Sequence, residues 1–262
     1  MRRWIQVAAA AALALTTAAP ASAMSTVSSS SNSDNSSNGS SASTVPAASP
    51  HSLRPATECA RVKCIALTFD DGPGPYTGKV LDILRAHRTK VTFFLVGGNV
   101  KKRPGTVRRM AREGHQIGNH TFDHPHLTTL YDDEIRDELS RTQDAIEAVT
   151  GRRPDLMRPP YGDTDARVGA VTAELGLAQI LWNGSSRDWE LRDPKALTAK
   201  VLGLAKRDRV VLMHDIQPHT VKALPKILSG LEKSGYHVVT IQKLLRGRTL
   251  APGEVFPVGG WN

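Results

Sequence analysis

The sequence predicts an α/β fold built around a parallel sheet or barrel. Short β-type runs alternate with helical patterns from about Cys59 onward, which is the signature of repeated βα units. The length of 262 residues suits one such domain of roughly 200 residues with appendages. Aromatics make up only 5% of the chain, so the expected core is aliphatic.

The elements follow in order. Arg2 and Arg3, the apolar run Ile5 to Ala19 and the small residues Ala21-Ser22-Ala23 read as a secretory signal peptide over residues 1–23, with Met24 as the new N-terminus. Residues 24–58 form a Ser/Asn-rich linker: eleven of the twenty residues from Ser25 to Thr44 are serine. Such a segment has too little apolar surface to offset its ordering entropy and is expected to stay disordered, as a spacer or as an arm through a wall meshwork. Cys59 and Cys64 lie just before the first strand. In an oxidising compartment they can pair and pin the start of the domain, for about 2 kcal/mol on the chain-entropy model.

Strands are expected at 65–69, 90–96, 178–182, 209–213 and 237–240, with a short one before Arg158. Helices are expected at 78–87, from Asp132 to about Thr150 with Gly151 as the stop, near 195–206 and at 221–234. The stretch from Gly247 to Asn262, rich in glycine and proline, reads as a coil packed on the surface.

Composition removes several classes of function. Two cysteines exclude a disulfide-dense scaffold and a four-cysteine zinc module. No apolar run reaches the roughly 18 residues of a spanning helix, so no stable membrane insertion is expected once the signal is cleaved. The formal charge is +9, or +7 without Arg2 and Arg3 (32 basic against 25 acidic residues), and the excess is dispersed. That fits attraction to a polyanion such as an anionic wall; no nucleic-acid motif is present.

Five segments carry residues capable of chemistry. The first strand runs into Asp70-Asp71-Gly72-Pro73. Two adjacent carboxylates at a strand end repel and resist desolvation, so a cation is a natural neutraliser, although the same residues also suit a solvated turn. His120 and His124, in Gly118-Asn119-His120-Thr121-Phe122-Asp123-His124-Pro125-His126, face one way if that turn is helical. Two imidazoles and a carboxylate are a common zinc set, but nine histidines make chance pairs easy. Arg158-Pro159-Pro160-Tyr161-Gly162 is a rigid loop whose guanidinium can grip a carboxylate bidentately, or a purely structural proline turn. Trp182 to Asp188-Trp189 is the fourth segment. In Val211-Leu212-Met213-His214-Asp215, His214 follows an apolar strand, where it is either a general acid or an ordinary strand-terminal histidine.

Together and in this order, Thr68-Phe69-Asp70-Asp71-Gly72-Pro73, His120-Thr121-Phe122-Asp123-His124, Arg158-Pro159-Pro160-Tyr161, Asp188-Trp189 and Val211 to His214 resemble the polysaccharide deacetylase family. This is the NodB homology domain, or carbohydrate esterase family 4, and the resemblance covers about residues 59–246, leaving 247–262 as a C-terminal tail. It implies a distorted (β/α) barrel of about seven parallel strands. It implies Asp71, His120 and His124 as ligands of a divalent metal, by default Zn2+, with Co2+ or Ni2+ as substitutes. Asp70 becomes the general base, oriented by Arg158, and His214 the general acid, paired with Asp188. Tyr161 would contribute its backbone N–H to an oxyanion site, and Trp189 and Leu212 would wall the acetyl pocket. One position departs from the family pattern: Ser185 stands three residues before Asp188, where an Asp is usual. Arg187, beside it, is either a contact for a carboxylate-bearing sugar or a solvated loop charge.

The expected protein is therefore a secreted, monomeric, metal-dependent hydrolase of N-acetyl groups on N-acetylglucosamine polymers, with peptidoglycan ranked before chitin oligomers. The resemblance also leaves an O-deacetylase of acetylated xylan and a non-catalytic glycan-binding module as alternatives.

Overall fold

The computed structural model describes residues 58–258. The expected signal peptide and cleavage site, and the expected linker up to residue 57, lie outside the described residues, as do positions 259–262.

Strand β1 (Lys63–Gly72) leads into α1 (Thr77–Ala86) and β2 (Thr92–Leu95). Two short helices, α2 (Gly97–Lys102) and α3 (Pro104–Arg112), precede β3 (Gln116–Asn119). The long α4 (Asp132–Thr150) is followed by β4 (Leu156–Met157), α5 (Ala166–Glu174), β5 (Ala178–Ile180) and β6 (Gly184–Ser185). The chain closes with α6 (Pro194–Gly203), β7 (Val210–His214), α7 (Pro218–Lys233), β8 (Tyr236–Val239), α8 (Ile241–Leu244) and β9 (Val255–Phe256). All pairings are parallel, in the order β6-β7-β1-β2-β3-β4-β5-β9, with β8 on the first part of β1. The sheet curls into a half-barrel, as the fold class anticipated, with nine strands among the described residues where about seven were expected. Three of the nine, β4, β6 and β9, have only two residues, too few for a period-2 pattern to register.

Alternation along the strands builds two apolar layers. Ile65, Leu67 and Phe69 of β1, with Val211 and Met213 of β7, pack outward against α1, α3, α6 and α7. Ala66, Val210, Phe94, Leu156, Ala178 and Ile180 fill the inner side. By the same parity Thr68 and Asp70 on β1, and Leu212 and His214 on β7, face inward.

The expected strands and helices are present with ends moved by a few residues. Helix α4 matches its expected range, and Gly151 ends it at φ 69°. The segments 97–119 and 166–174 are ordered elements that the sequence reading left unassigned. The expected surface coil after residue 246 is not all coil. It supplies β9, whose Val255 and Phe256 pair with Gln179 and Ile180. Cys59 and Cys64 form a disulfide.

Candidate metal centre and active site

Register puts the two ends of the chemistry side by side. Asp70 of β1 and His214 of β7 are direct partners across the parallel ladder. Beyond them β1 departs from regularity. The pairing with β2 runs Phe69↔Phe93 and then Gly72↔Leu95, so β1 carries one extra residue, a β-bulge, with Asp71 at φ 70°. In a regular strand Asp70 and Asp71 would point to opposite faces. The bulge turns both toward His120, whose Nε2 is 3.8 Å from Asp70 Oδ2 and 3.4 Å from Asp71 Oδ1. Both carboxylates therefore share one cleft.

Gly72 has no substitute here. A Cβ at this position would lie 2.5 Å from both carboxyl oxygens of Asp215. Asp215 is buried, and one of its oxygens accepts from the Thr77 hydroxyl while the other has no partner. Burial, aided by the charge of Asp71, pushes its pKa up to about 7 against the opposing Thr77 bond and the His214 charge.

His120 and His124 converge, but not by the helical spacing the sequence suggested. Residues 120–126 are non-helical, and Thr121 and His124 have φ of 62° and 65°. His120 Nδ1 hydrogen-bonds the Arg158 carbonyl at 2.6 Å, and His124 Nδ1 bonds the Tyr161 hydroxyl at 3.2 Å. With Nδ1 engaged on each ring, both Nε2 atoms face Asp71 Oδ1, at 3.4 and 3.2 Å. That oxygen is buried and accepts no hydrogen bond. The three ligand atoms lie within 4.8 Å of one another, so this set can hold a metal ion. Two imidazole nitrogens and one carboxylate oxygen suit a borderline cation with an open position, and the bonds at Nδ1 are the outer contacts that orient such ligands. Burial raises the Asp71 pKa, but the facing imidazoles of His120 and His124, with the charges of His120 and His214, outweigh it and hold the group well below the usual carboxylate range.

Arg158 is fully buried and spends its donors around the inner barrel. Nη1 reaches Asp70 Oδ1 at 2.8 Å and Thr68 Oγ1 at 2.7 Å, while Nε and Nη2 take the carbonyls of Ile180 and Leu181. The expected bidentate grip is thus a single contact to Asp70, and the other donors go to Thr68 and the backbone. The guanidinium also lies over Phe94, 4.3 Å from the ring centroid.

On the opposite side, Asp188 is fully buried and binds His214 twice. Its Oδ1 is 2.7 Å from His214 Nδ1, and its Oδ2 accepts the His214 backbone N–H at 2.7 Å. Thr220 donates to the same Oδ2, and the His219 ring bonds the Asp188 carbonyl. Burial pulls the His214 pKa down. The Asp188 bond and charge, with Asp70 and Asp71, overcome this and raise it to about 9. His214 Nε2 points toward Asp71 Oδ2, 3.9 Å away.

Two exposed aromatics stand at this cleft. Tyr161, at φ 60° and 57% exposed, stacks on His126 at 3.9 Å, and His126 is hydrogen-bonded to Asp163. Trp189, 42% exposed, meets the His214 ring edge-on at 5.4 Å. Leu212 is buried on the inward face of β7. Ser185 sits on β6 beside Leu212, with its hydroxyl buried and unpartnered. Arg187 pairs with Glu190 at 2.6 Å on the surface, which is the solvated alternative.

The sequence reading missed Asp215, Thr220 and the buried Glu138. Only Glu138 had a legible signal: it is an acid on the apolar stripe of α4, between Ile135 and Leu139.

The sequence profile of the polysaccharide deacetylase family matches residues 57–180. A peptidoglycan-N-acetylglucosamine deacetylase, PgdA, from Listeria monocytogenes is 44% identical over 195 residues, covering 74% of this chain and 41% of the relative. The chain therefore spans less than half of that relative's length. A peptidoglycan-N-acetylglucosamine deacetylase of Bacillus cereus is 38% identical over 190 residues, covering 70% of this chain and 89% of the relative. Among solved structures, a T48 deacetylase with substrate superposes at a TM-score of 0.74 with 43% identity, covering 77% of this chain and all of that one.

Proposed function

The chain belongs to the polysaccharide deacetylase family, and on that footing we propose that it is a secreted, metal-dependent hydrolase removing N-acetyl groups from N-acetylglucosamine units of peptidoglycan. One observation carries the reading. Asp71 Oδ1 is buried without a hydrogen bond between two imidazole Nε2 atoms, beside the Arg158-anchored Asp70 and the Asp188-backed His214. The names of the relatives support peptidoglycan over other glycans. The Cys59–Cys64 disulfide supports an oxidising compartment outside the cytoplasm.

Asp71, His120 and His124 would hold the ion, with zinc the natural choice for this donor set. When bound, the ion supplies Lewis acidity at the acetyl carbonyl and eases deprotonation of a water. The remaining steps belong to side chains of this protein. Arg158 fixes Asp70 through Oδ1, and Asp70 Oδ2 takes a proton from the attacking water as its oxygen bonds the carbonyl carbon. The Tyr161 backbone N–H would donate to the developing oxyanion. His214 Nε2 then gives its proton to the amide nitrogen as the C–N bond breaks, because an amide anion is a very poor leaving group. Acetate and a free amino sugar result. Leu212 and Trp189 would wall the space for the acetyl methyl.

The test is acetate release from purified peptidoglycan, chitin oligomers and acetylxylan, with and without chelator. Release from peptidoglycan, lost on chelation and restored by zinc or cobalt, is the expected result. Release indifferent to thorough chelation, or confined to acetylxylan, contradicts the proposal.

A further inference from the structure

We infer that Glu138, on helix α4, is a positioning residue for the metal: its carboxylate holds the loop that carries His120 and His124. The inference rests on the proposed metal site and concerns how that site is kept in shape.

The loop has to be held, because it does not hold itself. Thr121 and His124 both adopt left-handed backbone angles, at φ 62° and 65°, a conformation that β-branched residues and most others avoid. No helical or ladder pattern runs through it, so each peptide group needs a partner of its own. The amides from His120 to His124 all have one. His120 N–H goes to the Leu95 carbonyl at 2.9 Å, and Thr121 N–H to the Asn119 side chain at 2.8 Å. Phe122 and Asp123 N–H both donate to Glu138 Oε2, at 2.7 and 2.8 Å. His124 N–H closes the series on the Thr121 hydroxyl at 3.1 Å. Glu138 is the only charged acceptor among these, and it serves the two residues at the middle of the loop.

On the other side, the loop carbonyls meet the start of α2. Gly97 N–H donates to Thr121 O at 2.9 Å and Gly98 N–H to Phe122 O at 3.0 Å. A Cβ at Gly97 would stand 2.6 Å from the Phe122 ring and from Thr142 Oγ1, so the approach of α2 needs glycine. The loop is thus clamped between α2, which binds its oxygens, and Glu138 of α4, which binds its nitrogens. Glu138 is 8% exposed. Its nearest cation is Arg141, 4.0 Å from Oε1, and that guanidinium also covers the Phe122 ring at 3.8 Å. Oε2 is therefore committed to the loop, and a carboxylate accepting two amides makes stronger bonds than a neutral acceptor would. If this clamp is lost, His124 loses the backbone that aims its Nε2 at Asp71, while His120 keeps its strand bond to Leu95.

The experiment measures zinc affinity of the folded full-length protein by competition with a chromophoric chelator, well below the melting temperature. Glu138→Gln keeps an acceptor oxygen at the same reach without the charge, and should weaken zinc binding by less than about tenfold, a smaller loss than in the shorter variants. Glu138→Asp keeps the charge but is one methylene short, and Glu138→Ala removes the acceptor. Both should raise the zinc dissociation constant by roughly 10–100-fold, in the range for outer contacts of metal ligands. Hydrogen exchange at the Phe122 and Asp123 amides should accelerate with them. Should the alanine variant fail to fold, the aspartate and glutamine pair still decides the matter. Wild-type affinity in the aspartate variant, or a loss in Glu138→Gln as large as in Glu138→Asp, overturns the inference. Because the readout is metal binding, it is separate from the acetate assay. Tight zinc without acetate release defeats the proposed function and leaves Glu138 untouched.

Discussion

The two walls of the cleft are built on different principles. Asp70, Leu212 and His214 hang from β1 and β7, where the ladder and its alternation decide which way each side chain points. His124 and Tyr161 hang from irregular backbone with φ of 65° and 60°, and their direction depends on individual hydrogen bonds. His120 is intermediate: it follows β3 directly, and its amide still bonds β2 at Leu95. On the strand wall, direction comes with the sheet; on the loop wall it has to be supplied contact by contact. Changes at His214 on the strand wall should therefore alter proton transfer and spare metal affinity, and changes to the contacts that hold the loop wall should do the reverse; Asp71, at the bulge of β1, belongs with the metal set.

The largest effect is expected on the strand wall. His214→Ala should lower kcat on an N-acetyl substrate by roughly 10²–10⁴-fold, the usual worth of a positioned general acid, and cost an acetyl ester much less. Zinc affinity should stay within about twofold of wild type; a parallel loss of zinc would break the distinction between the walls. The same side chain sets a pH limit. His214 acts in its protonated form, and its pKa is raised to about 9, so activity persists through neutrality and falls as pH rises through that value. A cation on Asp71 cancels part of that carboxylate's contribution, so the limb of the loaded enzyme lies at or below about 9. Asp188→Asn removes the strongest raising influence and should move the alkaline limb of kcat to lower pH. An unmoved limb would assign it to another group.

A smaller effect is expected on the loop wall. Tyr161→Phe deletes the hydroxyl that engages His124 Nδ1 and should weaken zinc binding by about tenfold or less, at the low end for such contacts. At saturating zinc, kcat should be nearly unchanged. His120, whose Nδ1 rests on the backbone carbonyl of Arg158, offers no equivalent substitution, and that contrast is itself part of the difference between the walls.

What could be read in the sequence follows the same division. β1, β7 and α4 were legible because apolar periodicity and a terminal glycine announce them. Which side chains share the cleft could be anticipated from the family resemblance. The way they meet could not. The bulge at Asp71 reverses the direction that strand parity would assign, and nothing in Asp70-Asp71-Gly72-Pro73 specifies it apart from the tolerance of Asp for positive φ. The histidine pair looked helical by spacing and is held instead by Asn119, Thr121 and a carboxylate 14 residues after His124. Such contacts depend on tertiary proximity, which a local pattern does not encode. The edge strand β9 was missed for a related reason: two residues between glycines and prolines carry no periodic signal, and only the neighbouring β5 makes them a strand.

Whether Asp71, His120 and His124 jointly bind one ion is decided by anomalous X-ray diffraction from crystals of the zinc-loaded protein, collected on both sides of the zinc edge. One strong peak is expected in the cleft, bonded to Asp71 Oδ1, His120 Nε2 and His124 Nε2 at about 2.0–2.2 Å, with a further position open toward Asp70 and His214. A peak lying elsewhere, or an Asp71 carboxylate turned away from both imidazoles, would contradict that shared site.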